Sequence, residues 1–179
     1  MKDIVDQALD NTPCVEKCIV YKRTSHEVNM KTGRDLSWDD ELAKVSDYCE
    51  AVAVNSEDIL FILYTSGSTG TPKGVVHTTG GYMVNTEYTF RNAFQYKEGD
   101  VYWCTADIGW ITGHSYITYG PLLAGATSVM FEGVPTWPDA GRFWEVVEKH
   151  KVNVFYTAPT AIRALEKFGT EIIENYDLS

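Results

Sequence analysis

At 179 residues the chain fits one domain, or a large piece of one, and is long enough to bury roughly two thirds of its unfolded surface. A hydrophobic content of 44% and an aromatic content of 13% exclude a disordered chain, and no apolar run approaches the roughly twenty residues of a membrane-spanning helix. The net charge is -10, with Lys and Arg spread along the chain and not gathered in a stripe, which argues against nucleic acid as a partner; an anionic ligand has to be held by local donors.

The opening residues, Met1 to Asp6, mix acids into a first turn and lack the basic-then-apolar order of a secretory leader, so a cytoplasmic address is expected. Ile4 to Leu9 reads as the tail of a helix stopped by Asn11-Thr12-Pro13, and Lys17 to Tyr21 as a short strand. The polar stretch Lys22 to Arg34 reads as loop. Ser37 caps a helix starting at Trp38, with Asp39, Asp40 and Glu41 in the first turn where acids suit the helix dipole, and ending near Val45. Of the cysteines at 14, 18, 49 and 104 only Cys14 and Cys18 are close, their spacing is poor for zinc and no His pair complements them. Reduced structural thiols and no metal site are expected.

The apolar run Ile59 to Tyr64 predicts a buried strand, and Thr65-Ser66-Gly67-Ser68-Thr69-Gly70-Thr71-Pro72-Lys73-Gly74 springs from its carboxyl end, where open α/β folds place their ligands. Glycines let backbone approach an anion, Thr65, Ser66, Ser68 and Thr69 bring hydroxyl donors, and Lys73 adds a compact positive charge. These groups together suit polyphosphate. The loop is no Walker A motif, because Lys73 stands between Pro72 and Gly74, and Val75-Val76 continues in extended style where a P-loop opens a helix. A flexible connector is the plainer alternative.

Beyond the loop, Tyr82, Met83, Thr86, Phe90 and Phe94 recur at helical spacing within 77–94, and that face reads as core. Gly99-Asp100 turns the chain into a strand, Val101 to Thr105. Asp107-Ile108-Gly109 then leads to Trp110-Ile111-Thr112-Gly113-His114, a plausible place for ligand groups. Ser115 to Ala124 reads as an apolar helix closed by Gly125, Thr127 to Phe131 as a strand, and Pro138-Asp139 as the opening of a helix that runs to Lys151. Strand Val152 to Tyr156 and helix Thr160 to Phe168, stopped at Gly169, complete the series. Repeated alternation of strand and helix predicts the α/β class, a mostly parallel sheet flanked by helices, with residues 1–179 as a single α/β fragment. Tyr176-Asp177-Leu178-Ser179 is an odd place for a chain to stop, and a piece of a longer protein is expected.

From Ile59 onward the chain resembles the AMP-forming acetyl-CoA synthetases, acetate ligases of the acyl-adenylate-forming superfamily. The resemblance rests on Tyr64 to Gly74 with the following Val75 to Tyr82, on Asp107 to Tyr116, on Phe131 to Pro135, and on Phe155 to Leu165. It implies the large N-terminal, AMP-binding domain of such an enzyme, in which acetate attacks the α-phosphate of ATP to give acetyl-AMP and pyrophosphate, and the CoA thiol then displaces AMP. Thr65, Ser66, Gly67, Ser68, Thr69, Gly70 and Lys73 would hold the β and γ phosphates, with Mg2+ bridging phosphate oxygens. Trp110, Ile111 and Thr112 would line the acyl pocket, Thr112 would also lie near CoA, and Thr136 would stand where some relatives carry Asn against CoA.

The family's Gly-Glu-Pro adenine segment, its Asp-Thr-Trp-Trp motif, its ribose-binding Asp and its C-terminal lid with the adenylation lysine have no counterpart here. The isolated chain is therefore expected to be inactive and to bind nucleotide weakly, and no residue within it is assigned as catalytic. A propionyl-CoA or other short-chain synthetase, and a non-catalytic nucleotide-binding module, remain as alternatives. His77 and His114 lack a neighbouring carboxylate in sequence, so packing or a structural hydrogen bond is expected of both. A Ser66 or Ser68 acyl-enzyme would need a base and an oxyanion hole that the sequence does not display. The partners implied are the small molecules acetate, ATP and CoA, with no nucleic acid and no membrane.

Overall fold

The computed structural model describes residues 1–65 and 70–179, and the chain divides into two units, Met1–Val52 and Ala53–Ser179. In the first, helix α1 (Lys2–Leu9) precedes strand β1 (Cys18–Val20), and β2 (Asp35–Ser37) pairs parallel to β1 with Ile19 opposite Leu36. Strand β2 went unrecognised in the sequence. Only three residues long, it is positioned by charge: the Asp35 carboxylate, fully enclosed, accepts from Arg34 Nε at 2.6 Å and from the Lys31 amide at 2.9 Å, and Lys2 Nζ lies 2.6 Å away. Arg34 and Lys2 also reach Asp6. The Arg34 guanidinium, followed by the Lys2 ammonium and the Lys31 amide, holds the Asp35 carboxyl well below the usual carboxylate range.

Helix α2 (Trp38–Leu42) begins where expected, with Ser37 Oγ accepting from the Asp40 amide at 3.5 Å. It stops three residues short of Val45, because Lys44 and Val45 bond back to Glu41 and Leu42 in the tighter three-residue pattern.

In the second unit β3 (Ile59–Thr65) and β4 (Lys73–Thr78) form an antiparallel pair, Tyr64 opposite Gly74 and Thr65 opposite Lys73. The expectation of a buried inner strand is corrected here. Strand β3 has one hydrogen-bonded neighbour among the described residues, and Ile59, Ile62 and Tyr64 are exposed. A short apolar run does not reveal whether one face or both will be covered. Phe61 is the residue that docks, its ring within 4.8 to 6.4 Å of the rings of His77, Tyr82, His114 and Tyr119. Both histidines thus pack, as expected.

Helix α3 (Thr79–Ala93) buries Tyr82, Thr86 and Phe90, the stripe read from the sequence. The sheet that follows is parallel throughout, in the order β6-β5-β7, with β5 (Val101–Cys104) central, β6 (Thr127–Ser128) on one side and β7 (Val154–Tyr156) on the other. The period-two alternation of β5 sorts the core into two layers. Tyr102 and Cys104 face Phe90, Phe94, Tyr116 and Ile117, whereas Trp103 faces Phe143, Val146 and Val147 of α6 (Arg142–His150) and Leu165 of α7 (Pro159–Glu166). The sheet is therefore flanked by helices on both faces, an α/β arrangement with a parallel core.

The helical stretch expected from Ser115 starts earlier, at α4 (Ile111–Gly113). It passes through a wider π-type turn, His114–Tyr119, and ends as α5 (Gly120–Leu123) before Gly125. Strand β6 is shorter than the expected run to Phe131, since pairing stops once the Val129 amide has bonded to the Tyr102 carbonyl. A short 3-10 turn, Glu171–Asn175, closes the chain. Among the described residues no helix is long and apolar enough to cross a membrane.

Candidate functional site

From β5 the chain moves to β6 through the 111–123 helical stretch, then crosses back through α6 to β7 on the opposite side of β5. Such a reversal, with right-handed crossovers, puts the two connections on opposite faces and leaves a crevice at the carboxyl ends of the central strands. A cleft of about 660 Å³ lies there, between the ends of β5 and β7, and its walls include Thr105, Asp107, Trp110, Thr112, Thr157 and Thr160. A second cavity of about 500 Å³ shares the Cys104–Asp107 wall and extends toward Met130, Phe131 and Pro135 on the β6 side.

The cleft owes its shape to a tight corner. The Asp107 carboxylate accepts from the Gly109 amide at 2.7 Å, the Trp110 amide donates to the Asp107 carbonyl at 3.1 Å, and the His114 amide donates to the Trp110 carbonyl at 3.1 Å, starting the helix. Gly113 makes this possible. A Cβ there would stand 2.4 Å from the Asp107 carbonyl oxygen and 2.5 Å from Ile108 Cα, so only glycine lets the helix press onto the corner. Trp110 is left 72% exposed at the rim, and Thr112, half-buried, lines the cleft.

Thr105 and Thr157 extend the ladder past the ends of β5 and β7. The Thr105 amide donates to the Tyr156 carbonyl at 3.0 Å, and the two hydroxyls lie 2.5 Å apart. Neither residue stands out in the sequence as a site residue. The available signal was a threonine closing each of two apolar runs, and their meeting across 52 positions is visible only once the strands pair. Cys104 lies at the floor, and burial pushes its thiol up, which keeps it protonated and unsuited to act as a nucleophile. Burial likewise raises Tyr82, whose hydroxyl is 2.7 Å from that of Ser115.

The cleft thus gathers Trp110 and Thr112 of the expected acyl pocket, while Ile111 does not line it and Thr136 lines neither cavity. Thr65, Gly70 and Lys73 belong to the hairpin and do not line the cleft. Lys73 is exposed and, among the described residues, pairs with no carboxylate, and Gly70 has the positive φ of 79° that suits glycine. Ser66, Gly67, Ser68 and Thr69 lie outside the described residues.

Residues 2–179 match the family model described as AMP-binding enzyme. The chain is 61% identical over 176 residues to an acetyl-coenzyme A synthetase of Psychromonas ingrahamii and 58% identical over 174 residues to one of Desulfatibacillum aliphaticivorans, each alignment covering 97% of this chain and 27% of the relative. A third, from Rubrobacter xylanophilus, is 56% identical over all 179 residues, or 28% of its own length. The chain thus spans a little over a quarter of the length of the curated relatives it matches.

Proposed function

The chain belongs to the family of AMP-binding enzymes, and from that premise we propose that it forms part of the adenylation domain of an AMP-forming acetate–CoA ligase. The observation that carries the reading is the 56% to 61% identity, sustained along nearly the whole chain, to proteins named acetyl-coenzyme A synthetase. In the first half-reaction a carboxylate oxygen of acetate attacks the α-phosphorus of ATP, the bond to the bridging oxygen breaks, and pyrophosphate leaves with the electron pair. In the second, the CoA sulfur attacks the acyl carbon of acetyl-AMP and AMP departs.

Two anions meet in the first step, so orientation and charge neutralisation dominate the chemistry asked of the protein. Thr65, Ser66, Ser68, Thr69, the amides of Gly67 and Gly70, and Lys73 supply donors and positive charge to the β and γ phosphates. Lys73 is exposed and stands opposite Thr65 at the end of the hairpin, which supports this assignment. Trp110 and Thr112 line the acyl end of the cleft, with Ile111 beside them, and Thr112 and Thr136 are assigned to CoA. A switch-point cleft is a suitable place for this chemistry because strand ends present fixed groups around a recess from which water is readily displaced.

Magnesium, when bound with ATP, would neutralise phosphate charge. Among the described residues no three His, Cys, Asp or Glu side chains come together as a metal cage, so the ion would be held chiefly by phosphate oxygens and water, with the loop's Ser and Thr hydroxyls as the protein oxygens able to join them. The reading places the enzyme in the cytoplasm with acetate, ATP and CoA as small-molecule partners.

The test is acetate-dependent exchange of labelled pyrophosphate into ATP by the full-length enzyme. Exchange is expected with acetate, more slowly with propionate, since one methylene is worth only about 1 to 3 kcal/mol in such a pocket. Lys73→Ala is expected to lower the exchange rate roughly a hundredfold or more with the melting temperature unchanged. Absence of exchange, or equal loss of folding and activity in the variant, would overturn the reading.

A further inference from the structure

Thr105 and Thr157 stand just past the ends of β5 and β7. Thr105 and Thr157 are half-buried, both line the 660 Å³ cleft, and their hydroxyls are 2.5 Å apart across the strand ends. A hydroxyl carries one donor hydrogen and two acceptor lone pairs. In a facing pair one hydrogen is spent between the oxygens, and the second hydroxyl must direct its hydrogen elsewhere. Among the described residues neither oxygen has another hydrogen-bond partner. The pair therefore presents one unspent O–H, polarised by its neighbour, at the junction of the two strands around which the cleft is built.

Backbone geometry gives this donor a fixed position. The Thr105 amide is anchored on the Tyr156 carbonyl at 3.0 Å, one residue from Thr157, so the hydroxyls are carried on ladder backbone and not on a free loop. Threonine adds stiffness at χ1, its branched Cβ leaving few rotamers at a half-buried strand end. A donor held in this way costs little reordering when an acceptor arrives.

We propose that Thr105 and Thr157 act as a single coupled donor that positions an acceptor oxygen of the carboxylate substrate in the cleft, with neither hydroxyl effective alone. The inference rests on the ligase reading and adds to it two positioning residues outside the Trp110–Thr112 segment. One hydroxyl fixes the rotamer of the other, and the second offers its hydrogen to the carboxylate. Losing either member unlocks or removes the same hydrogen bond, so the two losses overlap instead of adding.

A double-mutant cycle in the full-length enzyme, read by acetate-dependent pyrophosphate exchange, tests this. Thr105→Val and Thr157→Val keep shape and remove one hydroxyl each; each is expected to raise KM for acetate about five- to tenfold, with KM for ATP unchanged. The doubly substituted enzyme should be no worse than the poorer single variant, and Thr105→Ser and Thr157→Ser should restore KM for acetate. A purely architectural pair would lower the melting temperature without moving KM for acetate. That result, additive effects in the double variant, or failure of serine to rescue would overturn the inference while leaving the ligase reading in place. Absence of exchange in the unsubstituted enzyme would overturn both.

Discussion

The two units of this chain are held together by different physics. Every fully buried apolar side chain among the described residues lies in Ala53–Ser179, where Tyr102, Trp103, Phe90 and Phe143 form a two-layered aromatic core around one strand. Met1–Val52 has none, and its parallel strand pair is organised by Asp35 with Arg34, Lys2 and Asp6. Apolar burial is largely indifferent to pH and to salt, whereas an ion cluster depends on both. The unit with the apolar core is the one that carries the cleft, so the strand ends bearing Thr105 and Thr157 rest on a closely packed floor.

The largest effect should come from the core. Trp103 is wholly buried, with ring centroids 5.0 to 5.4 Å from those of Phe155, Phe143 and Phe131. Trp103→Ala is expected to destabilise the second unit by about 3 to 5 kcal/mol, read as lost amide protection in β5, β7 and α6, with protection in β1 and β2 unchanged. Simultaneous loss in both units would break the comparison.

A smaller, pH-dependent effect should separate the units the other way. The Asp35 carboxyl is depressed by Arg34 first and Lys2 second, so its contribution is complete above the ordinary carboxylate value near pH 4 and is lost as pH falls through the lower folded value. The Lys2 ammonium is raised by Asp35 and Asp6, so its contribution is complete below the ordinary lysine value near pH 10.4 and is lost as pH climbs past the folded one. Asp6, lowered by Lys2 first and Arg34 second, adds to the acid side, so protection of β1 and β2 should fall at both extremes and Asp35→Asn should shrink the acid limb to the part that Asp6 supplies. In the second unit Asp177, held down to about 2 by the Ser179 hydroxyl and by Lys151, lies on the surface, where solvent screens its pairing. Amide exchange of wild type and variant across the pH range measures both arms. An acid limb of unchanged size in the Asn variant would refute the assignment to Asp35.

Much of the second unit was legible because local signals and tertiary packing agree there. The Tyr82, Thr86 and Phe90 stripe is the buried face of α3, Gly125 and Gly169 close the helical stretches before them with φ of 69° and 84°, and strand-helix alternation gave the parallel sheet. What escaped notice depends on residues distant in sequence. Strand β2 exists through pairing with β1 and through charges brought from Lys2 and Asp6. The exposure of β3 depends on which neighbours its two faces meet. The early start at Ile111 depends on Gly113 fitting against Asp107 and Ile108, a contact that the residue spacing does not announce. In the candidate site, Trp110 and Thr112 were expected from the family resemblance of residues 107–116 and do line the cleft, whereas the Thr105–Thr157 pair required two strands to meet.

The crevice between β5 and β7 is the proposed seat of the acyl group. Backbone amide shifts of the full-length enzyme, recorded with and without a non-hydrolysable acetyl-adenylate analogue, test this most directly. The largest changes are expected on Thr105, Trp110, Thr112 and Thr157. Changes concentrated instead around Met130, Phe131 and Pro135, with those four positions silent, would contradict it.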